Sequence, residues 1–373
     1  MKQEVRRAVP LSGPYIDARD EELVLEVLHS GRLSLGPTID RFEELLAEQA
    51  GAPYAAAVSS GTAGLHLLCV SAGIGPGDEV ITSPYSFAAS ANCFVYEGGV
   101  PVFADIDART LNMDPDAVRA AVTPRTKAIV AVDIYGYPCE LDQLHAIADE
   151  HGLALIQDSC EAIGARYKGA PLGSHGPSAV FAFYPNKQLT TGEGGIVVTH
   201  SEEEWRLLRS LRNQGRGHAG GWLEHVRLGF NYRMSDVGAA LGLGQVEKLE
   251  EILPLRAQVA ARYGELLGGI DGVELPLADD VDHVRSWFVY VVALPDNDAR
   301  ERVIATFERE GIGYNRYLPS IHLQPYMRER YGFRPGMCPV SEDLSSRTLA
   351  LPFFTGLERD AQERVADVLR SAL

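Results

Sequence analysis

The stretch AVFAFYPNKQLTTGEGGIVV (179–198) holds the residue best placed for covalent chemistry. An apolar run ends in Tyr-Pro-Asn-Lys, and a Gly-rich turn returns a second apolar run. A lysine leaving a buried strand is stripped of water, which favours the neutral amine, a nucleophile toward an aldehyde. The alternative for Lys187 is an ordinary surface-loop lysine, and composition weighs against it. Only five of the 34 basic residues are lysines. Lys2 is in the terminal arm, Lys127 precedes a strand pattern, Lys168 is in a Tyr-Lys-Gly turn, and Lys248 is on an amphipathic helix pattern. Lys187 alone follows the carboxyl end of an expected strand, the edge where open α/β sheets bind ligands.

Two further segments belong at that edge. In AAAVSSGTAGLHLL (55–68) a strand pattern ends, a small-residue loop with Ser60, Gly61 and Thr62 turns, and a helix pattern begins. Free amides and the helix dipole make such a start an anion site. An ordinary capped strand-to-helix turn explains it equally well. In LALIQDSCEAIGA (153–165) Asp158 ends an apolar strand, either as a helix cap or as a catalytic carboxylate. A fourth pattern is set aside. Gly215, Gly217 and Gly220 match G-x-G-x-x-G, but they follow a helix pattern instead of a strand, which marks a connector and not a dinucleotide site.

The elements that must position these residues alternate. Strand patterns fall at 54–58, 79–82, 100–105, 128–135, 153–158, 179–183 and 195–200, with helices between most of them. Such alternation predicts a largely parallel sheet covered on both faces. Amphipathic helices are expected at 20–30 and 38–50, the second with Thr38 as N-cap. A long helical pattern runs from Asp236 to about Gly268 with a break at Pro254. The remainder reads as an α+β unit: a strand at 287–294, a helix at 298–311, a Pro- and aromatic-rich loop, and a last helix from about 358. The boundary is placed at 247/248.

Composition bounds the function. The 373 residues suffice for a large and a small domain, each with a core. The net charge of −17 disfavours general nucleic-acid binding, which depends on neutralising phosphates. Arg212, Arg216, His218, Arg227 and Arg233 form a local basic group that suits a small anion or, on charge alone, a solvated patch. Five cysteines without C-x-x-C spacing, and no Cys/His cluster, give neither a disulfide framework nor a metal site. No apolar run spans a membrane, and MKQEVRRAVPLSGPY lacks the apolar stretch of a secretory signal, so a cytoplasmic protein is expected.

From about Pro10 to the carboxyl terminus, the pieces SGTAGLHL, GIGPGDEVIT, TPRTKAIVAVDIYG, QDSCEAIGA, FYPNKQLTTGEGG, LRNQGR, GFNYRMSD and YLPSIHLQPYM occur in an order that resembles the DegT/StrS-type sugar aminotransferases. These are fold-type I enzymes of the aspartate aminotransferase superfamily that use pyridoxal 5′-phosphate (PLP). The resemblance implies a large PLP-binding domain, 1–247, with a mostly parallel seven-stranded sheet, and a small α+β domain, 248–373. It makes Lys187 the lysine that holds PLP as a Schiff base and Asp158 the partner of the pyridine nitrogen. It makes Ser60, Gly61 and Thr62 the phosphate-holding turn, and Phe87 the aromatic on the ring. Asn186 and Glu161 line the cofactor, and Asn231 comes from the partner subunit of a homodimer. Arg233, Arg316, Tyr317 and His322 fall near the sugar nucleotide.

The reaction implied is transfer of an amino group from L-glutamate to a nucleotide-linked keto-sugar, a 4-keto-6-deoxyhexose before a 3-keto sugar. Members that dehydrate sugars carry His in place of the lysine, and this chain has Lys187. Two positions depart from the common pattern. Glu161 stands where many members have Gln, and Ala182 where many have a phosphate-binding Ser. The alternatives are transamination of a cyclitol or other ketone, and a non-catalytic regulatory protein. Retention of both Lys187 and Asp158 speaks against the last.

Overall fold

A computed structural model describes residues 8–217 and 224–373; Lys2, His218 and Gly220 lie outside the described residues. The strands are β1 (Tyr54–Val58), β2 (Glu79–Thr82), β3 (Val100–Phe103), β4 (Thr126–Val132), β5 (Ala154–Asp158), β6 (Arg166–Tyr167), β7 (Ala170–Pro171), β8 (Ser178–Ala182), β9 (Gly195–Thr199), β10 (His283–Val284), β11 (Tyr290–Ala293) and β12 (Thr348–Leu351). Seven of them form one sheet in the order β1-β9-β8-β5-β4-β2-β3, in which β9 alone runs against the others.

The sheet is buried on both sides because its strands are mostly apolar. Successive side chains of a strand face opposite ways. Accordingly Ala55, Ala57, Ile129, Ala131, Ile196 and Val198 enter one core, and their neighbours Ala56, Val58, Ala128, Val130 and Val197 the other. The helix Gly61–Ser71 packs in the second core and the helix Pro37–Ala50 in the first. A further core joins β11 and β12 to the helices Leu249–Leu267, Asn297–Glu310 and Arg359–Ala372, around Tyr263, Phe307, Leu349 and Val365; Val9 packs into it.

Several boundaries differ from the sequence reading. The helix Pro37–Ala50 is entered from Gly36 with Pro37 in its first turn and no side-chain cap, so Thr38 is not its N-cap. Proline there loses nothing, because a first-turn N–H has no helical partner. The long helical pattern breaks at Lys248, between Asp236–Glu247 and Leu249–Leu267, and Pro254 sits inside the second helix. The Lys248 Nζ leaves the helix line to pair with Asp17 at 2.7 Å and with Asp20. The expected strand 128–135 stops at Val132, and the chain turns through Ile134–Gly136 with Tyr135 at φ 54°, ψ 22°.

Register brings the three expected site segments together. Gly195, the first residue of β9, is the cross-strand partner of both Val58 and Ala182, the last residues of β1 and β8. Asp158, the last residue of β5, is level with Val180 of β8. The small-residue turn, the carboxylate and the lysine loop therefore leave one edge of one sheet.

Candidate active site

The turn after β1 is built for close approach. Ser60 caps the helix Gly61–Ser71, its Oγ accepting from the Ala63 N–H at 3.1 Å. A Cβ on Gly61 would come within 2.7 Å of the Cys160 Sγ and 2.8 Å of the Ala182 Cβ. The position that differs from the common pattern, Ala182, thus lies against the helix start, where a hydroxyl would meet an anion.

Asp158 is 6% exposed. Its Oδ2 accepts from Ser90 Oγ at 2.6 Å and its Oδ1 from the Cys160 N–H at 3.2 Å. Ser86 Oγ lies 2.7 Å from Ser90 Oγ. Because the Ser90 proton points to the carboxylate, Ser86 donates to Ser90, and a two-hydroxyl chain ends on Asp158. The same segment carries Phe87, 66% exposed, beside the start of the helix Ala89–Val95.

Lys187 is held by its own loop and by Gln188. The Lys187 N–H donates to the Tyr184 carbonyl at 2.9 Å, and the Thr191 N–H to the Phe183 carbonyl at 3.0 Å. Gln188 Nε2 donates to the carbonyls of Glu161 at 2.6 Å and Ser286 at 2.8 Å, tying the lysine loop to the segment after β5. The Lys187 Nζ lies 3.3 Å from Glu161 Oε1 and 3.8 Å from the centre of the Phe288 ring. Tyr317 and Asn186 complete the wall, with Asn186 Nδ2 donating to the Tyr317 hydroxyl at 3.3 Å. Burial, with the Glu161 charge adding to it, holds the Tyr135 and Tyr317 phenols above their ordinary value. Burial also pushes the Cys160 thiol well up.

These residues suit PLP. The Gly61 turn offers amides without side-chain obstruction, Asp158 offers a fixed acceptor, and Lys187 offers an amine. The Oδ1 of Asn186 is buried without a partner among the described residues, an acceptor left for a ligand.

Other expected site residues are placed differently. His322 is fully buried, its Nε2 2.9 Å from Glu342 Oε1 and its ring beside Phe103 and Phe333. Glu342 also accepts from the Gly336 and Cys338 N–H groups, so His322 secures that loop instead of facing Lys187. Arg316 pairs with Glu301 on the outer side of the small core. Of that trio only Tyr317 meets residues beside the lysine, through Asn186 and the Phe288 ring. The basic group near 212–233 is also not a free cluster. Arg212 is buried against Glu43 and the Ala57 carbonyl, and Arg233 donates to Asn213 Oδ1 at 3.0 Å. Asn231 is exposed in a bridge to Asn213. Ser86, Ser90, Gln188 and Phe288 are additions that the sequence reading did not reach. The one local sign was the i, i+4 spacing of Ser86 and Ser90.

The model of the DegT/DnrJ/EryC1/StrS aminotransferase family matches residues 14–370. The chain belongs to that family. It is 37% identical to the spore coat polysaccharide biosynthesis protein SpsC of Bacillus subtilis, across 99% of this chain and 98% of that one. Among solved structures it resembles S. venezuelae DesV at 33% identity and a TM-score of 0.90, covering 97% of this chain and 98% of that one. Helicobacter pylori PseC, an aminotransferase involved in the biosynthesis of pseudoaminic acid, is similar at 27% identity and a TM-score of 0.92, over 98% and 99%. The mixed seven-stranded sheet between helices is the fold of these PLP aminotransferases. The chain is a PLP-dependent enzyme of a sugar aminotransferase family. No helix of the described residues is long and apolar enough to cross a membrane.

Proposed function

We propose that the enzyme aminates a keto-sugar carried on a nucleotide, with L-glutamate as donor and Lys187 as the cofactor lysine. The observation that carries this reading is the position of the Lys187 Nζ. It lies at the carboxyl edge of the sheet with Asp158 and the Gly61 turn, in a wall of Glu161, Phe288 and Tyr317. When bound, PLP supplies an electron sink for a carbon that has lost a proton. Asp158, fixed by Ser90 and the Cys160 N–H, holds a proton at the ring nitrogen. Gly61, Thr62 and Asn186, with Asn231 of the partner subunit, hold the phosphate, and Ser60 shapes that turn through its cap. Phe87 covers one ring face. Lys187 Nζ, once free, would carry the proton from the donor's Cα to the cofactor's aldehyde carbon, and in the second half of the cycle would carry a proton from that carbon to the acceptor carbon. One base within reach of both carbons suffices, because positioning supplies much of the acceleration.

The sugar class is supported by the likeness to SpsC, a spore coat polysaccharide biosynthesis protein, and to PseC, an aminotransferase in the biosynthesis of pseudoaminic acid; the nucleotide rests on the motif resemblance alone. Tyr317 is the described residue of the carboxyl-terminal loop best placed to meet the sugar nucleotide, and Arg233, two residues after Asn231, is the basic side chain proposed to join it. A ring ketone without a nucleotide is the second reading, supported by similarity to 3-amino-5-hydroxybenzoic acid synthase at 28% identity and a TM-score of 0.89. Incubation with L-glutamate and a nucleotide-linked 4-keto-6-deoxyhexose, followed by mass spectrometry, tests the proposal. Amino-sugar nucleotide and 2-oxoglutarate in equal amounts are expected. Amination of free cyclitol ketones alone would favour the second reading.

A further inference from the structure

We propose that Glu161 is the proton acceptor that readies Lys187 for cofactor capture, while its second oxygen is locked to the Tyr135 backbone. This rests on Lys187 being the cofactor lysine. Glu161 Oε1 is 3.3 Å from Lys187 Nζ, and Oε2 accepts from the Tyr135 N–H at 2.9 Å. Tyr135 stands at φ 54°, in the left-handed region that a side chain rarely adopts, so the bond holds a turn that would otherwise relax. A carboxylate accepts from both donors at once. A glutamine satisfying Tyr135 would turn its amide N–H₂ toward the lysine, where an ammonium finds no acceptor.

The neighbours leave this role to Glu161. The Phe288 ring face stabilises a cation at Nζ, so the resting amine needs a partner to take its proton. Tyr135, Tyr317 and Cys160 are kept protonated by burial. Asp158 already accepts from Ser90 and Cys160. Side chains of Lys187 and Glu161 are only 12% and 14% exposed.

The step balances. The Lys187 ammonium passes one proton to Oε1, and the freed lone pair forms a C–N bond to the cofactor's aldehyde carbon. The aldehyde oxygen leaves as water with the two remaining amine protons. Oε1 then returns its proton to the nitrogen, and Glu161 ends as it began.

Stopped-flow mixing of apoenzyme with PLP, followed by borohydride reduction and peptide mass mapping, tests this. Glu161→Gln should capture PLP about 100-fold more slowly than the natural protein, at an unchanged melting temperature. Glu161→Ala should recover speed in proportion to added formate, which a purely structural role of the carboxylate would not do. Capture by Glu161→Gln at the natural rate, or a Glu161→Ala rate indifferent to formate, overturns the inference. A reduced adduct on a residue other than Lys187 in the natural protein would instead refute the cofactor-lysine reading.

Discussion

Ser90 donates to Asp158, Oγ to Oδ2 at 2.6 Å, and Ser86 stands behind it at 2.7 Å. The helix Ala89–Val95 thereby fixes the carboxylate, and exposed Phe87 stands just before its entrance. A hydrogen bond to a charged group contributes about 1.5–3 kcal/mol, and each 1.4 kcal/mol is about tenfold in affinity. Ser90→Ala is therefore expected to weaken PLP binding by about 10- to 100-fold, read by equilibrium dialysis. Natural affinity in that variant would mean the bond does not orient Asp158.

Asp158→Ala removes the carboxylate itself. Turnover is expected to fall by orders of magnitude, far more than in Ser90→Ala, because the variant removes the acceptor itself and not only the hydroxyl that orients it. Equal losses in the two variants would place the catalytic contribution in the hydroxyls, contrary to the role given to Asp158.

The turn after β1 tolerates little. Gly61→Ala puts a Cβ within 2.7 Å of Cys160 Sγ and 2.8 Å of Ala182 Cβ, neither of them the end of a long side chain. Overpacking of this kind costs about 1–3 kcal/mol. A lower melting temperature together with weaker PLP binding is expected. Loss of stability alone, with PLP affinity unchanged, would argue that the turn does not hold the phosphate.

The seven-stranded sheet was legible because its strands are short, mostly apolar and bounded by turns. Asp158 and Lys187 stood out as polar residues at the ends of such runs. What the sequence concealed depends on tertiary contact. The break at Lys248 follows from its pairing with Asp17 and Asp20, more than 200 residues away in the chain, whereas Pro254 is the louder local signal. Tyr135 looked like strand because its apolar neighbours continue the pattern, yet a single carboxylate oxygen from Glu161 bends the chain there. The loop of His322 points to a substrate contact, whereas the fold buries its ring beside Phe103 and Phe333 with Glu342 of a later helix as partner. The Ser90–Asp158 bond joins positions 68 apart and leaves no trace in local pattern.

Asn231 is exposed and reaches none of the groups around Lys187 among the described contacts, which suits a residue that serves the partner subunit's site. Lys187→Ala and Asn231→Ala proteins, each nearly inactive alone, are expected to regain part of the activity when unfolded, mixed and refolded together. A mixture no better than its components would place a complete site within each subunit.

The most direct measurement is the visible absorbance spectrum of the protein with PLP, before and after addition of L-glutamate. The expected result is a yellow absorbance band of the lysine-bound cofactor that is absent from Lys187→Ala and bleaches with glutamate. A band of equal strength in Lys187→Ala, or one that glutamate leaves untouched, would contradict a glutamate-dependent transaminase built on Lys187.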